Sequence, residues 1–271
     1  EVVSVTLDQD RDEPQLVFES MNSTGLDLET SDLVRNYMLM GCSMAEQKTL
    51  YEDYWLPMER VLGNLSFDAF LHDWMVVTLK KPVLKGRVMY AEFKRFAADS
   101  SLLRMERTRN LLANMLEYAK YYAAIKGVAA AGSGDMNVDR RLESIQKLGS
   151  TVTDPLVMYM FAAWKRDRVS CDGLLRMLAD LESYLFRRMI CSVSSNGLNK
   201  LVPSLIVRLD SAEDDLAETF AALLITETAK ATRMPTDSEF RQALLGENLY
   251  RPAWRCKYLL AGLENYNHPK D

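Results

Sequence analysis

The stretch Leu111-Leu112-Ala113-Asn114-Met115-Leu116-Glu117-Tyr118-Ala119-Lys120-Tyr121-Tyr122-Ala123-Ala124-Ile125 carries apolar Leu111, Met115, Tyr118, Tyr122 and Ile125 at steps of three and four residues. Such spacing places all five on one side of a helix, so a long core-facing helix is predicted from Leu102 to Lys126. The same signals recur on both sides. Upstream, Leu33, Tyr37 and Met40 form an apolar stripe behind Thr30 or Ser31 as cap, with Asp32 supplying negative charge to the first turn. Ser66 caps Phe67-Asp68-Ala69-Phe70-Leu71, Pro82 to Gly86 breaks the pattern, and Met89 to Ala98 resumes it. Downstream, helices are predicted at Val138–Leu148, Asp154–Lys165, Cys171–Met189, Leu198–Leu209, Ala212–Ala231, Asp237–Leu245 and Pro252–Leu263.

Only the start of the chain reads differently. Val3, Val5 and Leu7 alternate with polar residues, as a short half-buried strand does. Pro14 with Leu16, Val17 and Met21 then gives a short helix, which Asn22-Ser23-Thr24-Gly25 turns. No signature recurs at a solenoid period. The expected fold is therefore mainly α, an irregular multi-helix bundle with at most a short N-terminal strand. Ala129-Ala130-Ala131-Gly132-Ser133-Gly134 is small and flexible, marking an internal loop or linker at 127–137.

With 271 residues, 48% of them hydrophobic and 26% charged, the chain can bury a sizeable core. No window approaches the roughly 18 uninterrupted apolar residues of a bilayer span, and the N-terminus has no signal-peptide pattern. A cytoplasmic protein without a membrane partner is the expectation. Cys42, Cys171, Cys191 and Cys256 are widely spaced with no CxxC pair, so they are expected as buried thiols rather than zinc ligands or disulfides. A net charge of -5 exerts no general pull on nucleic acid, so such a contact needs a local basic face. Residues 80–109 offer one: Lys80, Lys81, Lys85, Arg87, Lys94, Arg95, Arg104, Arg107 and Arg109 against Glu92, Asp99 and Glu106. Lys94, Arg95 and Arg104 are the candidates there for DNA phosphate contacts, against the alternative of a merely solvated face.

Other charged motifs carry paired readings. Arg187 and Arg188, with Lys200, could form a phosphate-contacting face because the guanidinium fork matches phosphate oxygens. Alternatively one arginine pairs with Glu182 or Asp180 and the other is solvated. Asn22, Ser23, Gly25 and Arg35 are the candidates for nucleotide binding, the turn amides and helix N-terminus facing phosphate; a helix–turn–helix with no ligand explains the same residues. His72 is expected to be structural or surface, and His268 to lie in a frayed end. The methionines, 15 in all, fill core gaps. Asp214, Asp215, Glu213 and Glu218 suit capping better than acid–base catalysis. No Walker loop, GxSxG elbow or HExxH occurs, and no catalytic or metal-ligating residue is assigned.

Three stretches in order share a likeness. Phe18-Glu19-Ser20-Met21-Asn22-Ser23-Thr24-Gly25-Leu26-Asp27-Leu28, running into Ser31-Asp32-Leu33-Val34-Arg35-Asn36-Tyr37, resembles the end of the ParB/sulfiredoxin-like N-terminal domain of GmrSD-type restriction endonucleases. Tyr184-Leu185-Phe186-Arg187-Arg188-Met189-Ile190-Cys191 with Asn196-Gly197-Leu198-Asn199-Lys200 is similar to the paired-arginine segment of that family's helical middle. Arg255-Cys256-Lys257-Tyr258-Leu259-Leu260 resembles the segment leading to its C-terminal HNH-type nuclease domain.

The resemblance implies that residues 1–40 end a nucleotide domain and 41–271 form a helical domain. It further implies a nucleotide-stimulated, anti-phage bacterial endonuclease acting on modified DNA. The family's Asp-Gly-Gln-Gln-Arg-like string and its nuclease histidines do not occur here, so the chain is expected to be a catalytically inert portion of a longer protein. The nucleoside triphosphate and divalent metal would be held elsewhere; no cofactor is expected within this chain. DNA, a second copy or a partner subunit are the expected partners. The rival reading is a non-catalytic helical scaffold binding a protein or nucleic acid; a helical metabolic enzyme is third, disfavoured by the lack of convergent His, Cys or Ser groups.

Overall fold

A computed structural model describes residues 28–98, 104–128, 131–246 and 253–267. The regular elements among them are all helical, with no strand, as a mainly α bundle requires. The predicted strand at Val3–Leu7 and helix after Pro14 lie outside the described residues. The chain divides into two compact units, residues up to His72 with Val83–Glu117, and Asp73–Pro82 with residues from Tyr118 onward.

The first unit begins with α1 (Thr30–Leu39), α2 (Met44–Leu50) and α3 (Leu56–Leu62). Ser43 starts α2 with a reciprocal cap, Glu46 N–H donating to its hydroxyl while its own N–H donates to the Glu46 carboxylate at 2.7 Å. Between α2 and α3 the chain widens into a π turn at Tyr51–Trp55. Gly63, at φ 57°, ends α3 in a conformation that side chains resist. The unit also takes the start of α4 (Phe67–Leu79), all of α5 (Arg87–Ala98) and the start of α6 (Arg104–Ile125). Helix α1 packs on α5, where Tyr37 meets Phe93 edge-on, and Trp55 stacks on Phe67 with centroids 4.7 Å apart. Residues 28–40 are thus part of this helical unit, which extends well past position 40.

In the second unit α9 (Cys171–Ile190) is the hub, touching α7 (Met136–Lys147), α8 (Asp154–Lys165), α11 (Leu216–Thr226) and α12 (Asp237–Gly246). Helix α10 (Leu198–Asp210) packs on α8 and α11, and α13 (Ala253–Asn267) follows last. Helix α8 buries every residue from Asp154 to Ala163, so it forms the centre of the core. The stripe that announced α6 is buried at Met115, Tyr118, Tyr122 and Ile125, whereas Leu112 takes the deep position next to the half-exposed Leu111.

Three expectations need correcting. The helix predicted over Ala212–Ala231 is shorter at both ends, because the Asp215 carboxylate takes the N–H groups of Ala217 and Glu218 and starts the helix there. At its other end Glu227 turns extended and accepts from Ala229 N–H and the Thr232 hydroxyl. Secondly, the Gly-rich segment near 131–135 is an internal loop of the second unit and not loose: Ser133 is buried, its N–H donating to Asp139 and its carbonyl accepting from Lys165. Thirdly, the four cysteines carry free thiols but are half-exposed rather than buried.

Candidate functional site

Helix α1 exposes at its N-terminus the amides that could hold an anion, and an anion is already there. Asp68, in the first turn of α4, accepts from Ser31 N–H at 2.7 Å and from Thr30 N–H at 3.0 Å. A carboxylate thirty-eight positions away therefore does the capping that the sequence assigned to the Thr30 or Ser31 side chain. Glu29 is the capping position itself and contributes no side-chain bond.

Arg35 lies one turn on. Its guanidinium contacts Asp32 at 2.9 Å and Glu59 at 3.6 Å. The π turn explains why Glu59 is so placed: it brings Trp55 Nε1 within 2.9 Å and the Tyr51 hydroxyl within 3.2 Å of the same carboxylate, both donating to it. Beside these groups opens a cavity of about 400 Å³ lined by Glu29, Ser31, Asp32, Arg35, Glu59 and Phe67, among others. Three carboxylates and one guanidinium line it, so the rim is acidic. The described residues of this cavity do not suit a triphosphate, whose charge they would repel. Asn22, Ser23 and Gly25, the other nucleotide candidates, lie outside the described residues. A divalent metal is no better served: among the described residues no group of three or more His, Cys, Asp or Glu side chains is placed to hold one.

The paired arginines do separate jobs. Arg188 is 3% exposed and donates to three backbone carbonyls, Ser194 at 2.6 Å, Ala231 at 2.8 Å and Arg233 at 3.2 Å, with no carboxylate among its described partners. Its guanidinium also lies 5.2 Å from the Tyr184 ring centroid, and the Tyr184 hydroxyl donates to the Thr232 carbonyl. Burial pushes that phenol up to about 12, with Arg188 opposing the shift, so it stays a donor at any ordinary pH. Together the two side chains stitch the loop after α11 onto the end of α9. Gly197, at the start of α10, completes the seam, since a Cβ there would meet Thr232 Cγ2 at 2.8 Å and the Ala231 carbonyl at 3.0 Å. The two halves of the paired-arginine motif thus meet around one loop.

Arg187 sits at the rim, 2.6 Å from Asp237, with its guanidinium over the Phe240 ring. Glu182, the carboxylate expected to pair with one of the arginines, instead takes Arg141 and the Tyr258 hydroxyl, both at 2.5 Å. Lys200 is exposed, so Arg187, Arg188 and Lys200 do not present one shared cationic face: the middle charge is turned inward.

The basic run is also partly committed to structure. Lys80 forms an ion pair with Asp210, which additionally receives Arg168 and the Tyr159 hydroxyl. These cations, Lys80 foremost, hold the Asp210 carboxyl below the usual range. Arg107 donates to the carbonyls of Ala97 and Ala98, closing the C-terminus of α5. Lys94 stands 5.0 Å from the Tyr90 ring centroid, and Arg95 is largely exposed with Glu92 3.9 Å away. Arg104 is the first residue of α6. Lys94, Arg95 and Arg104 belong to the first unit, Arg187, Arg188 and Lys200 to the second.

A second buried cluster had no announcement in sequence. Asp154 is 8% exposed and bonds Lys126, whose ammonium lies 5.4 Å from the Tyr122 ring. Burial raises the Asp154 carboxyl to about 6 in spite of Lys126, and Asp73 adds like-charge repulsion. His72 Nε2 lies 3.1 Å from the Val83 carbonyl, consistent with a structural histidine; His268 lies outside the described residues. Comparison with family models, with curated proteins and with solved structures finds no match.

Proposed function

We propose that this chain is the helical body of a GmrSD-type, nucleotide-stimulated endonuclease that acts on modified DNA in anti-phage defence. The observation carrying the proposal is the order of its three sequence anchors, Phe18–Tyr37, Tyr184–Lys200 and Arg255–Leu260, along one helical chain. The geometry lends one support: both halves of the middle anchor bind the same loop, so the motif acts as a unit, as a framework element would. In this role the bundle contributes architecture and DNA contact, the latter through Lys94 and Arg95 on α5. In this reading nucleotide and metal chemistry are assigned to other parts of the protein, as the resemblance implies, and no step is assigned to them here. No helix among the described residues is long and apolar enough to cross a membrane.

The test is cleavage by the product of the complete gene. Nucleoside triphosphate should stimulate cutting of modified phage DNA over its unmodified counterpart. A complete product that neither cuts nor binds DNA under any nucleotide would remove the proposal.

A second reading, a non-catalytic scaffold, is favoured by a specific observation: Asp210, Glu182, Arg188 and Asp154 in the second unit are all engaged in holding separate stretches of the chain together. A complete product that binds DNA or a protein partner with no cutting would select that reading.

A further inference from the structure

None of the ten residues of helix α12 is buried, in contrast to the buried faces of α9 and α10. Its attachments are few and mostly ionic. Arg187, at the end of α9, reaches Asp237 at 2.6 Å, although the Asp237 side chain is 86% exposed. The same guanidinium lies 5.2 Å from the Phe240 ring centroid, and Phe186 meets that ring edge-on at 5.7 Å. Arg233, in the loop that Arg188 fixes, holds Glu239 through two bonds of 2.8 and 2.5 Å. Glu239 also accepts from Thr236 N–H at 2.8 Å, so one carboxylate both caps the helix and ties it down. Against the helix lies an open cavity of about 480 Å³, with Cys191, Val193 and Pro235 in one wall and Gln242 and Ala243 of α12 in another.

We infer that α12 is a lid: it detaches from this cavity and opens by local unfolding while the rest of its domain stays folded, with Arg187 as the catch. The mounting is fixed, since the loop leading into α12 is stitched to α9 by a buried guanidinium through Ser194, Ala231 and Arg233. The lid itself is held by contacts that water and salt can replace. Elements with little buried apolar area and exposed ion pairs open locally at far lower cost than the core. Opening makes the half-exposed Cys191 thiol and the Arg233 guanidinium more accessible to whatever enters the cavity.

Hydrogen exchange read by mass spectrometry on the whole chain tests this, with Cys191 alkylation as an independent probe. Backbone amides of residues 237–246 should exchange at least tenfold faster than those of α9 and α10. Arg187→Gln should speed them a further threefold or more, leave α9 and α10 unchanged, and accelerate alkylation of Cys191 relative to Cys171. Asp237→Asn, which removes the catch from the other side, should do the same, and 1 M salt should mimic both in the unsubstituted protein. Exchange of 237–246 at the core's rate would overturn the lid, as would variants that leave it unchanged. Acceleration of α9 and α10 in parallel would overturn it too, because α12 would then be an integral part of the fold.

Discussion

Arg35 and Arg188 both belong to motif-bearing stretches, yet their surroundings are opposite. Arg188 is sealed in and donates to main-chain carbonyls beside an aromatic face, whereas Arg35 is about one-third exposed beside a cavity and faces two carboxylates. A cation aimed at carbonyls fixes where a loop goes. A cation balanced between carboxylates at a cavity edge can exchange partners at little cost. The difference shows that the same residue type, in equally suggestive sequence contexts, is a buried clamp in one unit and a partly exposed ion pair in the other.

Removing the buried arginine should have the largest effect. Arg188→Ala leaves three carbonyls without their charged donor, and hydrogen bonds of that kind contribute about 1.5–3 kcal/mol each when measured singly. Because such losses do not add fully, the expected destabilisation is about 3–5 kcal/mol, read from urea unfolding. Arg188→Lys, which keeps the charge but not the fork, should recover less than half of it. If Arg188→Ala unfolds within about 1 kcal/mol of the parent, the buried clamp is not what holds the loop.

Asp154 probes the same unit through pH. Its folded carboxyl titrates near 6 against an ordinary value of 3.8, so the folded state binds the proton more tightly than the unfolded one. The stability this gives is complete below about pH 4 and is lost as pH rises through about 6. Across that window the parent should lose about 2 kcal/mol relative to Asp154→Asn, which has no proton to give up. The substitution also weakens the Lys126 contact, so the slope with pH and not the absolute stability is the measure. Carboxyls held low, Asp210 and Asp215 among them, act in the opposite sense and only at more acid pH, where their stabilising charge is lost. Parallel pH profiles for the two proteins would show that Asp154 is solvated after all.

Charges on the first unit should matter for ligands and hardly for the fold. If α5 and the start of α6 contact DNA phosphates, the Lys94→Ala, Arg95→Ala, Arg104→Ala triple variant should weaken duplex binding and lower the salt exponent by about 2–3, near one per lost contact. An unchanged isotherm with helicity intact would take this face out of consideration. The smallest effect on stability is expected for Arg35→Ala, about 0.5 kcal/mol or less, because both of its ion pairs are partly exposed. Its nucleotide-stimulated activity in the complete gene product should stay normal, because the acidic rim beside Arg35 repels a triphosphate. A reduced nucleotide response with the fold intact would show that Arg35 meets the nucleotide.

How much of this is legible in the sequence follows from how far each interaction reaches. Helix α8 is legible to the residue, since Asp154 and Pro155 begin it and an unbroken apolar run fills it. Ser170 announces α9 by the same local logic, accepting from Gly173 N–H. Caps made from a distance are not legible: Asp68 belongs to α4 by sequence and to α1 by function, and no spacing rule connects them. Arg188 misleads for a related reason. Its partners are carbonyls, which every residue possesses, so a search for a nearby carboxylate points to Glu182 and Asp180, while two of the groups that matter lie more than forty residues on. The overlong Ala212–Ala231 helix has the same root, as the chain past Thr226 leaves the helix to meet that guanidinium and Glu227. In the first unit the Arg35–Asp32 pair is legible because a three-residue helical step makes neighbours, but Glu59 becomes its second partner only through the π turn.

In the proposed role this chain supplies the frame and the DNA contact, and other parts of the protein carry the cutting chemistry. The most direct measurement incubates purified residues 1–271 with supercoiled plasmid and modified phage DNA, in magnesium and in manganese, with and without nucleoside triphosphate. Intact DNA throughout is the expected result, beside cutting by the complete gene product under the same conditions. Reproducible metal-dependent nicking by residues 1–271 alone, lost when the metal is chelated, would place a catalytic centre within this chain and rule out a purely architectural role.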